Sequence, residues 1–363
     1  MSPISALQHD SCGSVRVGSR ALWVCRDTRQ YDGSTATVHG AIVPNSASWT
    51  DFDKAGNPSI IHDAPRGAGS TGSNSVLLMY GGSYNPSDAE PFYPVPVNEC
   101  PTRGFCSGGT RYAIWPGQPP MIASATDSQA VLAYTWIRQN HEEKLQPVAA
   151  DQPTTLYKVE YNLAAQTSDL APNTTTVNAA FWQSGEWGFG AYGSLVYDNV
   201  AYLYGQNEDR TAVALAKVDT DGVEDRSKYL YYVDGEWIST LPSLANPSVS
   251  IDNLGLGRQG TFYFSEAFEC FIWIGEYEND SNTTMNFKIT TAPAPEGPWI
   301  EPYTIYSAPL GNGTFGGYSI QAHPSLVRDS PTNRSIYLSF TQQWSQDTFG
   351  GSYVTPLIYL QLQ

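Results

Sequence analysis

Short strand-like runs joined by tight turns recur along the chain, and this recurrence limits the possible folds more than any other feature. The segment GSLVYDNVAYLYGQ contains two such runs with a turn at Asp198-Asn199, and TAVALAKVD follows as a third strand. KYLYYVDGEWI is predicted as the fourth strand, turning at Asp234-Gly235. A four-stranded antiparallel unit is therefore predicted between Gly193 and Ile238.

The same succession of runs returns in at least three other places. It is found in PPMIASATDSQAVLAYTWIR with TTLYKVEYNL, in GTFYFSEAFECFIWIGEYE with MNFKITTAPAPEGPWIEP, and in QAHPSLVRDSPTNRSIYLSFTQQW with VTPLIYLQLQ. Four-stranded units repeated around an axis form a β-propeller. We expect an all-β chain, a five-bladed β-propeller of four-stranded antiparallel blades, with residues 1–363 as a single domain. Seven smaller blades also fit the length, and a β-sandwich or jelly roll is the main alternative.

Charge and composition exclude several classes of partner. The chain has 19 Lys and Arg against 35 Asp and Glu, a net charge of −16, which repels nucleic acid, anionic membranes and polyanionic substrates. No run approaches the about 18 apolar residues of a membrane span. Aromatic residues make up 13% of the chain, and their rings suit the C–H faces of sugars. We expect a monomer that binds a polysaccharide or oligosaccharide, without a cofactor or metal.

The cysteines and glycosylation sequons indicate an oxidising compartment. Cys12 with Cys25 and Cys100 with Cys106 are close enough in sequence to form local disulfides, whereas Cys270 is predicted to be a buried free thiol. The first residues lack the apolar run of a signal peptide, so we expect that a leader has been removed. A secreted, extracellular glycoprotein is predicted, with five N-x-S/T sequons at Asn173, Asn279, Asn282, Asn312 and Asn333.

The stretch HDSCGSVRVGSRALWVCRDT predicts a hairpin that brings two acidic residues together. A two-residue turn at Gly18-Ser19 pairs Cys12 with Cys25 and, two positions further out, Asp10 with Asp27. Counting from the turn, both pairs are non-hydrogen-bonded, which are the closer pairs of an antiparallel ladder. The register that permits the disulfide thus predicts two carboxylates opposite each other.

Two opposed carboxylates will not both ionise easily, so one pKa is expected to rise. A protonated and an ionised carboxyl side by side are what glycoside hydrolysis requires, and cross-strand spacing favours the retaining distance. Alternatively, Asp10 and Asp27 are end caps beyond the paired region, neutralised by Arg26 or a backbone amide.

These segments together resemble a family of secreted five-bladed propellers that includes endo-D-arabinanases. The similarity lies in the hairpin above, in PNSASW at 44–49, in the segment Tyr202–Val218, in the PEGPW turn at Pro295–Trp299 and in QAHP at Gln321–Pro324. The resemblance implies the propeller fold and assigns the essential aspartates to Asp10 and Asp27. SCG stands where the family has a glycine pair, which indicates a fungal-type branch with a different sugar.

The sequence therefore predicts a secreted glycoside hydrolase that cleaves a neutral, arabinofuranose-containing polysaccharide at a paired-aspartate site. The alternative is a propeller lectin, which binds sugar without cleaving it. By analogy with glycoside hydrolase family 43, Glu186 is a candidate acid, or else a surface charge. His141, Glu142 and Glu143 are interpreted as a solvated loop. Candidate substrate contacts, each with a structural alternative, are Asn45, Trp115, Trp187, Tyr192, Gln259, His323 and Trp344.

Overall fold

The fold is all-β, as predicted. The computed structural model describes residues 7–32, 37–58, 90–100, 103–125, 130–165, 171–254, 257–276, 284–313, 315–328, 330–344 and 352–362. Strands account for 52% of the described residues and helices for 4%. The helices within these ranges are four single-turn 3-10 helices, at Leu163–Ala165, Arg226–Lys228, Pro247–Val249 and Pro324–Leu326. No helix among the described residues is long and apolar enough to cross a membrane.

The strands within the described ranges are short, and most follow their neighbour through a turn. They are β1 (Leu7–His9), β2 (Cys12–Val17), β3 (Arg20–Cys25), β4 (Thr28–Asp32), β5 (Thr37–Val43), β6 (Ser46–Thr50), β7 (Arg111–Ala113), β8 (Met121–Ala125), β9 (Ala130–Arg138), β10 (Asn140–Glu143), β11 (Gln146–Pro147), β12 (Thr154–Asn162), β13 (Asn173–Trp182), β14 (Gly193–Tyr197), β15 (Val200–Gln206), β16 (Val213–Asp219), β17 (Leu230–Val233), β18 (Glu236–Ile238), β19 (Gly260–Ser265), β20 (Cys270–Glu276), β21 (Thr284–Ala292), β22 (Tyr303–Pro309), β23 (Gly317–Ala322), β24 (Ser335–Trp344), β25 (Ser352–Val354) and β26 (Leu357–Gln361).

Five sheets form the body of the fold, and they contain three to five strands rather than the uniform four that the sequence predicts. In order of hydrogen bonding they are β2-β3-β6, β8-β9-β12-β13, β14 to β18, β19 to β22, and β23-β24 with β25 and β26 both paired to β24. The extra strand in the third sheet arises at Asp234-Gly235, where both residues take positive φ (53° and 83°) and turn the chain back as β18. The described residues form two further three-stranded sheets, β1-β4-β5 and β7-β10-β11.

The first strands of the five sheets contact one another in chain order. β8 lies beside β14, β14 beside β19, β19 beside β23, and β23 beside β2. Gly13 on β2 in turn lies against Pro119, just before β8, so closely that a Cβ on Gly13 would come within 2.8 Å of the proline ring. The starts of these strands therefore converge on one region of the molecule.

A web of buried polar groups occupies this region of convergence. Gln259 exchanges hydrogen bonds with the Ser11 side chain (3.3 and 3.2 Å) and donates to the carbonyl of Gly117 (3.2 Å). Gln321 donates to the same carbonyl (3.1 Å) and accepts from the Thr261 hydroxyl (3.0 Å). These contacts join β19, β23, the start of β2 and the segment before β8.

Aromatic side chains fill the spaces between adjacent sheets. Tyr204 on β15 stacks on Phe262 of β19 with ring centroids 3.8 Å apart and an interplanar angle of 7°. Both rings are almost fully buried, and Gly193 on β14 lies directly against the Phe262 ring. The close approach of the two sheets thus depends on the absence of a side chain at Gly193.

Both predicted disulfides are present. Cys12–Cys25 joins β2 to β3, and Cys100–Cys106 braces the long loop before β7. Cys270 is free, as predicted, but half-buried, because it is the first residue of β20 beside a turn. Of the sequons, Asn279 and Asn282 lie outside the described residues.

We expect Gly193→Ala to destabilise the protein by about 1–3 kcal/mol, because the new Cβ would lie 2.2 Å from the Phe262 ring at the contact between two sheets. Denaturant unfolding measures the change. Gly108→Ala is the matched control, since its added Cβ meets nothing within 4 Å. Equal stability of the two variants would contradict this account of the sheet contact.

Candidate functional site

The hairpin that carries the two aspartates forms with the predicted register. Val17 pairs with Arg20 and Cys12 with Cys25, and the pairing resumes beyond the aspartates in β1 and β4, where His9 faces Thr28. Asp10 and Asp27 therefore lie inside a continuous ladder. The alternative that they are end caps beyond the paired region is wrong.

One detail of the predicted register is also wrong, because the Asp10–Asp27 pair is hydrogen-bonded. The amide of Asp10 donates to the carbonyl of Asp27 (2.9 Å), and the amide of Arg26 donates to the carbonyls of Asp10 (2.8 Å) and Ser11 (3.1 Å). The cause is Ser11, whose positive φ of 38° interrupts the regular alternation. Positive φ strains the backbone of a residue other than glycine, so the surrounding structure must hold Ser11 in this conformation.

Both carboxyls line one cavity of about 110 Å³. The side chains around it come from β1, β4, β5 and β23 and from the ends of the hairpin; they are Gln8, His9, Asp10, Asp27, Arg29, Ile42 and Tyr318. Within the described part of the chain, the buried Nε2 atoms of Gln8 and His9 have no hydrogen-bond partner. Buried polar groups are nearly always hydrogen-bonded, so two such nitrogens on residues of one cavity distinguish this region from the rest of the described interior.

Asp10 lies in an environment that favours its protonated form. Burial is the main cause that raises its pKa, to about 6, and the nearby charge of Asp27 adds to this effect. Arg26 and hydrogen bonds from Tyr318 and Thr341 oppose the rise, the last at 3.2 Å. Asp10 is therefore a carboxyl that can carry a proton near neutral pH.

Asp27 lies in a different environment, against a guanidinium. Arg111 on β7 donates from both terminal nitrogens to the two carboxylate oxygens, Nη1 to Oδ2 at 2.9 Å and Nη2 to Oδ1. Such a two-point contact requires an ionised carboxylate as acceptor. The two aspartates thus differ in their partners, and the structure distinguishes them where the sequence could not.

Glu142 lies directly opposite Arg111 in the β7–β10 pair and is only 8% exposed. Burial raises its pKa, while Arg111 lowers it. Its neighbour His141 stacks on Tyr112 with ring centroids 4.1 Å apart. The interpretation of this segment as a loop is therefore wrong, because His141, Glu142 and Glu143 lie in β10 and Glu142 is buried against β7; Glu143 is exposed, as expected.

Arg26 extends into the same region and bonds to the backbone carbonyl of Pro116 (3.2 Å). Burial lowers its pKa, whereas Asp10, Tyr318 and Asp27 raise it. Arg26 and Arg111 thus contact the region of the two aspartates from outside the cavity lining, and Arg29 is the arginine that lines the cavity itself.

Of the predicted substrate contacts, Trp115 lies beside the arginine that binds Asp27, and Gln259 bonds to Ser11, the neighbour of Asp10. The Arg111 guanidinium lies 5.8 Å from the centroid of the Trp115 ring, so the indole lies beside the guanidinium that binds Asp27. Gln259 belongs to the polar web described above and is 3% exposed.

Two of the predicted contacts are fully buried polar side chains that link backbone segments. Asn45 accepts from the Tyr93 amide (2.7 Å) and donates to the Ile114 carbonyl (3.2 Å). His323 lies between the hydroxyls of Ser14 (2.8 Å) and Ser339 (2.7 Å), and burial lowers its pKa to about 3. Neither residue lines the cavity, and both have the structural role that the sequence left open for His323.

Trp187 and Tyr192 pack in the protein interior, whereas Trp344, the last of the predicted contacts, is 39% exposed. Trp187 is 1% exposed and donates to the carbonyl of Ser243, and Tyr192 is 6% exposed within the core of β14 and β19. Glu186 accepts two hydrogen bonds from Arg226 (3.0 and 2.9 Å) and does not line the cavity.

One cluster of potential metal ligands occurs among the described residues, formed by His9, Cys12 and Cys25. The two cysteines are joined in a disulfide and so supply no thiolate, and Nδ1 of His9 bonds to the Thr28 hydroxyl at 3.1 Å. The cluster therefore does not fit a metal ion.

Sequence reasoning missed Arg111, Glu142 and Tyr318. Arg111 is 84 positions from Asp27, and no spacing in the sequence connects them. A weak signal did exist, because Arg111 follows closely after Cys100 and Cys106, which the sequence predicts to form a local disulfide.

No family model matches the chain, and no curated protein matches it. Among solved structures, a Bacteroides ovatus protein named "putative hydrolase" is 14% identical, covers 97% of this chain and 86% of its own, and has a TM-score of 0.60. A thermostable family-43 glycoside hydrolase (9% identity, 99% and 91% covered, TM-score 0.44) and a Cellvibrio cellulosa alpha-L-arabinanase mutant (11%, 96% and 90%, 0.43) are more distant. The chain shares the fold of the Bacteroides protein; the two lower scores carry no argument.

Replacing Asp27 is expected to lower the pKa of Asp10 below about 6, because Asp27→Asn removes a like charge and frees Arg111. A carboxyl carbon NMR titration of protein labelled at aspartate measures the change. Asp51→Asn is the control, since Asp51 pairs with Arg20 (2.6 Å) and does not line the cavity. An unchanged or raised pKa of Asp10 in the Asp27 variant would show that the two carboxyls are not coupled.

Proposed function

We propose that this protein is a glycoside hydrolase that uses Asp10 and Asp27. The observation that carries the proposal is that one cavity holds two carboxyls in opposite environments: burial favours a proton on Asp10, and Arg111 binds Asp27 as a carboxylate. Hydrolysis of a glycosidic bond needs such a pair, one group to protonate the leaving oxygen and one to act at the anomeric carbon.

In this proposal Asp10 gives its proton to the oxygen of the bond that breaks. An oxygen of Asp27 attacks the anomeric carbon, and water later releases the sugar while Asp10 takes a proton back. The position of the two aspartates on adjacent strands favours this retaining course. The hydrogen bonds from Arg111 leave a further lone pair on each Asp27 oxygen. Arg111 therefore orients the carboxylate without blocking its attack on the anomeric carbon.

The fold around the site is proposed to be a five-bladed propeller that forms a single domain over residues 1–363. The contacts between successive first strands, together with Gly13 against Pro119, support a closed ring of five sheets. We further propose a secreted monomer, for which the two disulfides are the supporting observation.

The proposed substrate is a neutral polysaccharide that contains arabinofuranose. A net charge of −16 disfavours polyanionic sugars, and the resemblance of the hairpin to endo-D-arabinanases supports arabinose. Gln8 and His9 line the cavity and are its uncharged polar side chains beside Tyr318, which suits contact with sugar hydroxyls. Because burial lowers the pKa of His9 to about 4, its ring binds as a neutral group.

Incubation with plant, fungal and mycobacterial polysaccharides tests this function. We expect new oligosaccharides from at least one, and a loss of between about 100-fold and 10,000-fold in both Asp10→Asn and Asp27→Asn. Asp51→Asn should keep full activity. NMR of the first product should show a retained anomeric configuration. Full activity of both aspartate variants would refute the proposal, and binding without cleavage by the unaltered chain would favour a lectin.

The pH dependence of kcat/KM provides an independent prediction. Because Asp10 must be protonated and its pKa is about 6, kcat/KM is expected to fall as the pH rises through about 6. In Tyr318→Phe this fall should move to higher pH, since the Tyr318 hydrogen bond lowers the pKa of Asp10. A kcat/KM that increases from pH 5 to pH 7 would instead make Asp10 the base.

A further inference from the structure

We propose that Phe105 is a positioning residue for the proposed reaction, because its ring holds Arg111 against Asp27. The inference deepens the proposed function and rests on it for the role of Asp27. The Arg111 guanidinium lies 4.9 Å from the centroid of the Phe105 ring, within the range of a cation–π contact. The described residues that line the cavity do not include Phe105, so the ring acts on the site through the arginine.

A short antiparallel pairing brings Phe105 and Arg111 together. The two residues form a β-bridge and lie directly opposite each other. Amide-to-carbonyl hydrogen bonds flank this pair on both sides, from Tyr112 to Gly104 (2.8 Å) and from Cys106 to Thr110 (3.0 Å). This arrangement makes Phe105 and Arg111 a non-hydrogen-bonded pair, the kind whose side chains are closer. The backbone therefore places the ring beside the guanidinium.

The segment that carries Phe105 is held by covalent and steric constraints. The Cys100–Cys106 disulfide fixes the residue that follows the ring, and the amide of Gly104 donates to the carbonyl of Cys100 (3.0 Å). Gly104 has a φ of 83°, and a Cβ at this position would clash with the carbonyl oxygen of Tyr112. The absence of a side chain at Gly104 therefore permits the close approach on which the bridge depends.

The backbone around Arg111 is anchored on both sides by His141 of β10. A hydrogen bond joins the Thr110 hydroxyl to Nε2 of His141 (3.0 Å), and the Tyr112 ring stacks on the same imidazole with centroids 4.1 Å apart. The residues on either side of Arg111 are thus fixed. The position of the guanidinium then depends on the contacts that its own side chain makes.

The guanidinium needs such contacts because charge attracts it to two carboxyl groups. Its hydrogen bonds go to Asp27, whereas Glu142, opposite Arg111 in the β7–β10 pair, also acts on it by charge. Within the described part of the chain, the buried Nε of Arg111 has no hydrogen-bond partner, so no bond at that atom orients the group. The rings of Phe105 and Trp115, with centroids 4.9 and 5.8 Å from the guanidinium, restrict it to the position in which it binds Asp27.

Phe105 is the better probe of these two rings. It is 42% exposed, so its truncation leaves no cavity in the core. Trp115 is itself a candidate substrate contact, and its removal would combine two effects. A change seen in a Phe105 variant can therefore be assigned to the contact with Arg111.

Nitrogen NMR of the Arg111 side chain tests the positioning without any substrate. We expect Phe105→Ala and Phe105→Leu, which both remove the ring, to speed rotation of the guanidinium about its Nε–Cζ bond by about tenfold. Phe105→Tyr keeps the ring and should keep the slow rotation. Phe268→Ala is the matched control, because it removes a ring from another arginine, Arg334 (5.5 Å), in the turn between β19 and β20.

Kinetics on a polysaccharide that the protein cleaves provide the second measurement. Phe105→Ala and Phe105→Leu should each lower kcat about tenfold and leave KM unchanged, because the ring acts through Asp27 and does not line the cavity. Arg111→Lys already loses the two-point contact with Asp27, so adding Phe105→Ala to it should cause no further loss. Phe268→Ala should keep the kcat and KM of the unaltered protein.

Three results would overturn the inference. They are an unchanged rotation of Arg111 in both Phe105→Ala and Phe105→Leu, a loss of kcat in Phe105→Ala that is equally large in the Arg111→Lys background, and a raised KM with unchanged kcat. The last result would make Phe105 a direct substrate contact. Faster rotation of Arg111 in the Phe105 variants of a protein that cleaves no polysaccharide would keep the positioning of Asp27 and end the hydrolase proposal.

Discussion

The hydrogen-bond web around the carbonyl of Gly117 is the interaction on which the rest of the structure depends. Gln259 and Gln321 reach that carbonyl from two different sheets, and Gln259 also bonds to Ser11 at the start of β2. Gln118 adds bonds to the carbonyls of Tyr192 and Gly260. A buried polar network of this kind is stabilising only when all of its hydrogen bonds form. These bonds therefore fix the positions of the sheets that they join relative to one another.

The web also determines where Asp10 lies. Ser11 accepts the Gln259 amide through its side chain, while its backbone amide donates to the Thr341 hydroxyl (2.8 Å). That hydroxyl donates in turn to Asp10. On the other side, the Cys12–Cys25 bridge holds the two strands together directly beside Asp10 and Asp27. The candidate acid is therefore positioned by both local covalent structure and contacts from distant segments.

This division explains how much the sequence could predict. The turn at Gly18-Ser19, the disulfide and the Asp10–Asp27 pair depend on residues close in sequence, and their register was predictable. Arg111, Tyr318 and Thr341 arrive from other sheets, and only the assembled fold brings them to the site. The sequence also could not predict which tryptophans are exposed. Trp187 is buried and Trp344 is exposed, although the side chains are identical, because packing between the sheets decides their burial.

The hairpin also shows how a chain tolerates a carboxyl that is costly to bury. The difference between the ordinary pKa of 3.8 and about 6 for Asp10 corresponds to about 3 kcal/mol, at about 1.4 kcal/mol for each tenfold change. Because the pKa is raised in the folded state, this cost is full above about pH 6 and disappears below about pH 4. A disulfide that closes a loop as short as that between Cys12 and Cys25 contributes about 3 kcal/mol. The bridge thus contributes about as much stability as the ionisation of Asp10 costs, so the hairpin can keep this carboxyl buried and still hold its two strands in register.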